Sequence, residues 1–188
     1  MSEVVRPATA ADLERINEIY NHYVVHSHAT FEIEPVTMAA RREWATHYAA
    51  TGRYRLLAVA DDRVLGYATS SPYHLRAAYE TSVEVSVYVD PDATGRGLGA
   101  LLYGALLPAL EGEDLHRAYG GVSLPNPASV ALHERFGFRE AARYSEQGRK
   151  FGRYWDVVWL ERPLGEPVTR RRRPPSARRS GGAGSASR

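Results

Sequence analysis

Val83-Glu84-Val85-Ser86-Val87-Tyr88-Val89-Asp90-Pro91-Asp92-Ala93-Thr94-Gly95-Arg96-Gly97-Leu98-Gly99-Ala100 holds the two features on which the fold turns. In its first half Val83, Val85, Val87 and Val89 alternate with Glu84, Ser86 and Tyr88, the period of a strand over about Thr81–Val89. In its second half glycines fall at 95, 97 and 99, where a helical pattern over Leu98–Glu111 begins. Glycines there let the backbone turn its N–H groups into a common space at a helix N-terminus, a nest that binds pyrophosphate without needing a particular side chain. Arg96 adds a positive charge nearby. Three readings compete. Gly95 to Ala100 satisfies the dinucleotide fingerprint G-x-G-x-x-[GA]. That motif, however, follows the first strand of its domain directly, with an acid closing the next strand. Here Asp90–Thr94 intervene, half the domain precedes, and the next strand ends in Val122-Ser123-Leu124. A phosphate loop of the G-x-x-x-x-G-K-[ST] kind is absent from the sequence. A glycine-rich loop without a ligand stays open on these residues alone.

Working outward, the pattern alternates between periods. Val4–Arg6 is a short strand ended by Pro7, and Thr9 with Asp12 forms a capping box ahead of Leu13, Ile16, Ile19 and Tyr20 at helical spacing. A second helix is expected from after Thr37 to about Ala50, then a hairpin of Arg55–Ala60 and Val64–Ser70 about Asp61-Asp62. After the glycine turn come the helix Leu98–Glu111, weakened near its end by Pro108, and a strand at Arg117–Leu124. A helix at Ala128–Arg135 is closed by Gly137, and two last strands, Arg139–Ser145 and Arg153–Leu160, flank Gly148-Arg149-Lys150. Hairpins early and strand–helix alternation later make this an α/β chain, with a mixed sheet in one domain over residues 1–164.

Composition bounds the function. The chain has 188 residues, 44% hydrophobic and 24% charged, ordinary proportions for a globular protein. No apolar run is long enough to span a bilayer, and no basic stretch leads into an apolar one at the N-terminus, so no membrane partner and a cytoplasmic location are expected. Without cysteine there is no disulfide, thiolate metal site or cysteine nucleophile. Residues 165–188, rich in Gly, Pro, Ser, Ala and Arg, read as a disordered tail. Seven arginines against Glu166 give the tail +6, so the rest of the chain holds −4 of the net +2. That acidic body is not a nucleic-acid surface; contact with nucleic acid is expected, if anywhere, at Arg170–Arg173.

The strand and glycine turn, followed by Leu101-Leu102-Tyr103, resemble the core of the GNAT acetyltransferases, and more narrowly their phosphinothricin and methionine sulfoximine/sulfone acetyltransferase branch. Further matches come in order at Asn21-His22-Tyr23, Thr30-Phe31, Arg76, Tyr79, Leu124-Pro125-Asn126, Ser129, His133-Glu134, Gly137-Phe138, Lys150–Arg153 and Trp155-Asp156-Val157. The likeness spans about residues 3–164. One departure stands out: Thr94 occupies a position where the family usually has Gln or Arg. The resemblance implies a central mixed sheet of about seven strands, helices on both faces, and a splay at the strand carrying Glu84.

It also implies roles. Backbone groups of Val87, Tyr88 and Val89 would hold the pantetheine arm of acetyl-CoA. Thr94, Gly95, Arg96, Gly97, Leu98, Gly99 and Ala100 would hold its pyrophosphate, with Asn126 and Ser129 across the splay. Glu84 matches the general base that deprotonates the acceptor ammonium, and His133 stands where many relatives place a tyrosine acid for the leaving thiolate. Arg76 is the expected clamp for an amino-acid carboxylate. Phe31, Tyr73, Tyr79 and Ser86 are expected around the acceptor. No metal is expected: His22 and His26 have i, i+4 spacing, but His28 falls on a loop and no H-E-x-x-H pattern occurs. Nor is there a G-x-S-x-G nucleophile, which agrees with direct transfer. The expected activity is N-acetylation of a small amino acid, with a homodimer implied by the branch. The alternatives are acetylation of another small amine, or a non-catalytic acyl-CoA-binding module with a nucleic-acid-contacting tail.

Overall fold

The alternating valines find partners on both sides of their strand. In the computed structural model, which describes residues 3–165, seven strands form one sheet in the order β1-β2-β3-β4-β5-β7-β6. They are β1 (Val4–Pro7), β2 (Leu56–Ala60), β3 (Val64–Pro72), β4 (Ser82–Val89), β5 (Arg117–Ser123), β6 (Arg139–Lys150) and β7 (Arg153–Pro163). Every neighbouring pair is antiparallel except β4–β5. Four helices accompany them: α1 (Leu13–His26), α2 (Met38–Ala45), α3 (Leu98–Glu111) and α4 (Pro127–Arg135).

β2 is buried along its whole length, and its period of two sends side chains to opposite layers. Leu57 and Val59 join Leu102, Leu106, Leu107 and Leu110 of α3, while Leu56, Ala58 and Tyr67 meet Leu13, Ile16 and Ile19 of α1. The sheet is thus sandwiched between helices. The Thr9 capping box forms, with the Thr9 N–H donating to Asp12 at 2.7 Å, and Arg6 holds the Asp12 carboxyl down at about 2.

Two regions differ most from the sequence expectation. The second helix stops at Ala45, where Thr46 Oγ1 donates back to the Glu43 carbonyl at 2.7 Å and competes with continuation. Trp44 and Tyr48 instead pack ring against ring at 4.7 Å beside the sheet. The last two strands are longer than expected and meet at Phe151-Gly152, not around Gly148–Lys150. Both turn residues have positive φ (54° and 75°), the conformation that matches the twist of a two-residue hairpin.

What positions the site is the junction of β4 and β5. They pair only at Ser82–Arg117, Val83–Ala118 and Glu84–Tyr119, and then diverge. β5 turns instead to β7, with which it pairs over its full length. The sheet opens directly after Glu84.

Candidate active site

The open edge of β4 follows from its ladder with β3. The Asp90 N–H donates to the Leu65 carbonyl at 2.8 Å, and in the antiparallel register this assigns Tyr88, Ser86 and Glu84 to the bonded pairs with β3. Val85, Val87 and Val89 therefore present their backbone groups to the splay. This corrects the expected set: the Tyr88 backbone is engaged with β3, and the Val89 carbonyl accepts the Tyr23 hydroxyl at 2.6 Å. Val87 keeps both its N–H and its C=O for a ligand.

The splay widens into a groove of about 470 Å³. Val87, Thr94, Gly95, Gly97, Leu98, Gly99, Ala100, Asn126, Ser129 and His133 all line it. Gly95 and Gly97 both have φ of 78°, a left-handed conformation that a side chain strains. Gly97 is the N-cap of α3, and its carbonyl takes the N–H groups of Ala100 and Leu101. The Leu98 and Gly99 N–H groups precede the first intrahelical bond and stay available for an anion. Asp90, which the sequence reading passed over, anchors this turn. Its buried carboxylate accepts from the Asp92 N–H at 3.2 Å and pairs with Arg15 and Arg63. The Asp-Pro pair before a helical turn was the available signal.

Arg96 departs from expectation. Its side chain pairs with Glu3 at 2.5 Å and lies outside the groove, so the turn presents backbone amides there and not this cation. Thr94 Oγ1 donates to the Pro91 carbonyl at 3.2 Å, stiffening the turn. Across the groove, Asn126 caps α4, its side-chain oxygen accepting from the Ser129 N–H at 3.1 Å. That leaves its amide N–H pair without a partner among the described residues, at the wall of the groove.

His133 is buried, 5% exposed, beneath β5. Its Nδ1 lies 2.8 Å from the Ser129 carbonyl, which can only accept, so Nδ1 carries the proton. In the neutral ring Nε2 then accepts from the Tyr103 hydroxyl at 2.9 Å. Burial pushes the His133 pKa down, against the opposing Ser129 bond, and pushes Tyr103 up. Both ring nitrogens are occupied, so no imidazole N–H is free to protonate a thiolate. The ring fits because residue 120 is glycine: a Cβ there would lie 2.3 Å from Nε2. Gly120 lines neither pocket but makes room for His133, a contact that the sequence reading missed.

On the other side of β4 lies a second pocket, of about 720 Å³. Glu84, Ser86 and Tyr88 line it from the strand, with Tyr20, Thr30, Arg41, Trp44, Tyr48, Tyr67 and Thr69 around them. The Glu84 carboxylate forms no hydrogen bond or ion pair among the described residues, and burial raises its pKa above the ordinary value of 4.5. Ser86 and Tyr88 line both cavities, so the two meet at β4 just beyond Glu84. Asn17 and Asn21 each donate to the Val36 carbonyl at 2.9 Å, which holds the loop over this pocket to α1.

Other expected acceptor residues are elsewhere. Arg76 is exposed on the loop before β4 and does not reach the pocket. Tyr73 stacks on Tyr119 at 4.3 Å and meets Tyr79 edge-on at 6.1 Å, an aromatic cluster where β4 and β5 still pair. Phe31 lies over Gly148 of β6. His22 and His26 face each other at 4.9 Å, whereas His28 stacks on Trp155, so the three histidines do not converge.

This geometry has close counterparts. A profile described as the acetyltransferase (GNAT) family matches residues 14–138. A phosphinothricin N-acetyltransferase of Streptomyces coelicolor is 55% identical over 163 residues, 85% of this chain and 95% of that protein. An L-methionine sulfoximine/L-methionine sulfone acetyltransferase of Pseudomonas paraeruginosa is 36% identical, over 86% of this chain and 94% of its own. Among solved structures, a GNAT superfamily phosphinothricin acetyltransferase from Sinorhizobium meliloti in complex with acetyl-CoA superposes with a TM-score of 0.84 at 33% identity, covering 89% of this chain and 91% of that one. The profile covers most of the described residues and these relatives run along 85% or more of the chain; the chain belongs to the acetyltransferase (GNAT) family.

Proposed function

We propose that this chain is an acetyl-CoA-dependent N-acetyltransferase whose acceptor is a small amino acid of the phosphinothricin or methionine sulfoximine/sulfone type. One observation supports this most: a single strand, β4, walls a cofactor groove and an acceptor pocket that meet at Ser86 and Tyr88, with Glu84 unpaired at the junction. The likeness to the phosphinothricin and methionine sulfoximine enzymes supports the acceptor class.

Acetyl-CoA supplies an activated acyl carbon. Glu84 takes a proton from the acceptor ammonium, directly or through one water, and frees the nitrogen lone pair. The Val87 N–H donates to the thioester oxygen and stabilises the charge that gathers there as the C–N bond forms. The C–S bond then breaks. Two protons leave the nitrogen; one ends on sulfur and the other passes to solvent. His133 positions the groove by joining α4 to Tyr103 of α3.

A homodimer belongs to this reading. Leu75 (95% exposed), Tyr144 (51%), Phe151 (56%) and Tyr154 (56%) are large apolar side chains that a second copy would cover. Light scattering in solution tests it, and a monomer across micromolar concentrations would remove it. Among the described residues no helix is long and apolar enough to cross a membrane. The arginine run lies outside the described residues, and nucleic-acid contact through it is a separate test, salt-sensitive RNA binding lost on deleting 165–188.

The decisive experiment mixes protein and acetyl-CoA with phosphinothricin, methionine sulfone, methionine sulfoximine and simple amines, and follows free CoA. Amino acids turned over in preference to simple amines support the reading. Equal use of simple amines points to another acceptor class, and tight CoA binding without turnover to a binding module.

A further inference from the structure

Arg41, on α2, is only 3% exposed and lines the pocket that contains Glu84. Its guanidinium lies between two aromatic rings, 4.7 Å from the centroid of Tyr20 and 4.4 Å from that of Trp44. Stacking satisfies the faces of the plane and leaves the edges, where the five N–H donors point, to find partners. Among the described residues one is found: Nε donates to Asn17 Oδ1 at 3.0 Å. Nη2 is buried with no hydrogen-bond partner, and no carboxylate among the described residues forms an ion pair with this side chain.

A buried cation without an anion is costly, and a structure that keeps one has a use for it. Three carboxylates line the same pocket; Glu32 and Glu34 are exposed to solvent, whereas Glu84 presents the mirror case, half-buried with no cation. An α-amino acid carries both missing charges on one carbon. We infer that Arg41 is the acceptor's carboxylate receptor: the zwitterion is held with its carboxylate on the Arg41 guanidinium edge and its ammonium toward Glu84. The aromatic clamp and Asn17 fix the plane before the ligand arrives, so the donors lose little freedom on binding. The inference rests on the amino-acid reading above. It moves the clamp from Arg76, which is exposed outside the pocket, to a residue within it.

The test compares methionine sulfone with its α-carboxamide, which keeps the amine and side chain but lacks the anion. With the unaltered enzyme the carboxamide should show a KM at least about 30-fold higher. Arg41→Gln should raise KM for the acid by about 30-fold or more, change kcat less than about threefold, and leave KM for the carboxamide within about twofold. A merely structural role for Arg41 would raise both KM values together, and that result overturns the inference. So does an Arg76→Gln variant that removes the acid–amide difference while Arg41→Gln keeps it. If Arg41→Gln fails to fold, the unaltered enzyme still decides: equal KM for acid and carboxamide means no anion is held. Turnover of neither compound would overturn the amino-acid reading and this inference with it, whereas equal turnover of both overturns the inference alone.

Discussion

Glu84 is the residue on which chemistry and stability pull in opposite directions. Burial raises its pKa with no cation to offset the cost, so the folded protein binds this proton more tightly than the unfolded chain does. Below the ordinary carboxylate value both states are protonated and folding carries no penalty. As pH rises through the elevated folded pKa, the buried charge appears and stability falls. Glu84→Gln should therefore melt a few degrees above the parent at pH 8 and level with it at pH 4. The same substitution should cut kcat by about 10²–10⁴-fold and abolish the acidic limb of the pH–rate profile, because only the ionised carboxylate is a base. Thermal unfolding at the two pH values and initial rates check the pair; a variant both inactive and less stable at pH 8 would argue for a structural role. Glu84 stood out in the sequence through the family resemblance, near the start of the alternating strand that leads to the glycine turn, and not through the alternation itself. Arg41 did not: nothing local separates it from Arg42, and its burial depends on Tyr20 and Trp44 closing over it. Arg96 misled for the related reason that a motif fixes a backbone position, while Glu3, far away in sequence, fixes where its side chain goes.

At the scale of elements, β5 and α4 are held at contact distance by Gly120 and His133. A methyl group at 120 would sit 2.3 Å from Nε2 and meet the ring, not a flexible chain end, so the imidazole must move and lose the Tyr103 hydroxyl. Gly120→Ala is expected to cost about 1–3 kcal/mol by overpacking and to weaken CoA binding along the α4 wall. In His133→Ala the ring is gone, so Gly120→Ala should then cost much less, a non-additivity readable by urea unfolding of the four-member cycle. Strict additivity would mean that the two residues do not oppose each other. Element types were readable because the periods of two and of helical spacing are both strong here. Ends were less so: α2 stops where Thr46 bonds back to Glu43, and the final turn falls where Phe151 and Gly152 accept positive φ. Neither is a property of hydrophobic pattern. Gly120-Gly121 in a strand was a signal of close backbone approach that went unused.

Across the whole molecule, one feature converts a helix-covered sheet into a two-substrate site: β4 leaves β5 after three paired residues while β5 stays bound to β7. The mixed sheet, its covering helices and the splay followed from pattern and resemblance, but the strand order came only with the structure, and which β4 residues face the splay is a matter of ladder phase, visible only once Asp90 is seen bonded to Leu65. The gap should make CoA act as a missing strand, so that ligand binding and folding are linked. At one hundred times its Kd, CoA should add about 2.7 kcal/mol and raise Tm by roughly 5–10 °C. Val87→Pro tests the strand itself. The Val87 N–H faces the splay and takes no part in the β3 ladder, so proline there removes one donor at an open edge while sparing the sheet. The expected result is a variant whose ligand-free Tm stays within a few degrees of the parent's but which loses most of the CoA-induced rise and at least about tenfold in kcat. A full CoA response in a well-folded Val87→Pro variant would show that the glycine nest and Asn126 hold the cofactor without the strand, and the splay would then be a space rather than a binding edge.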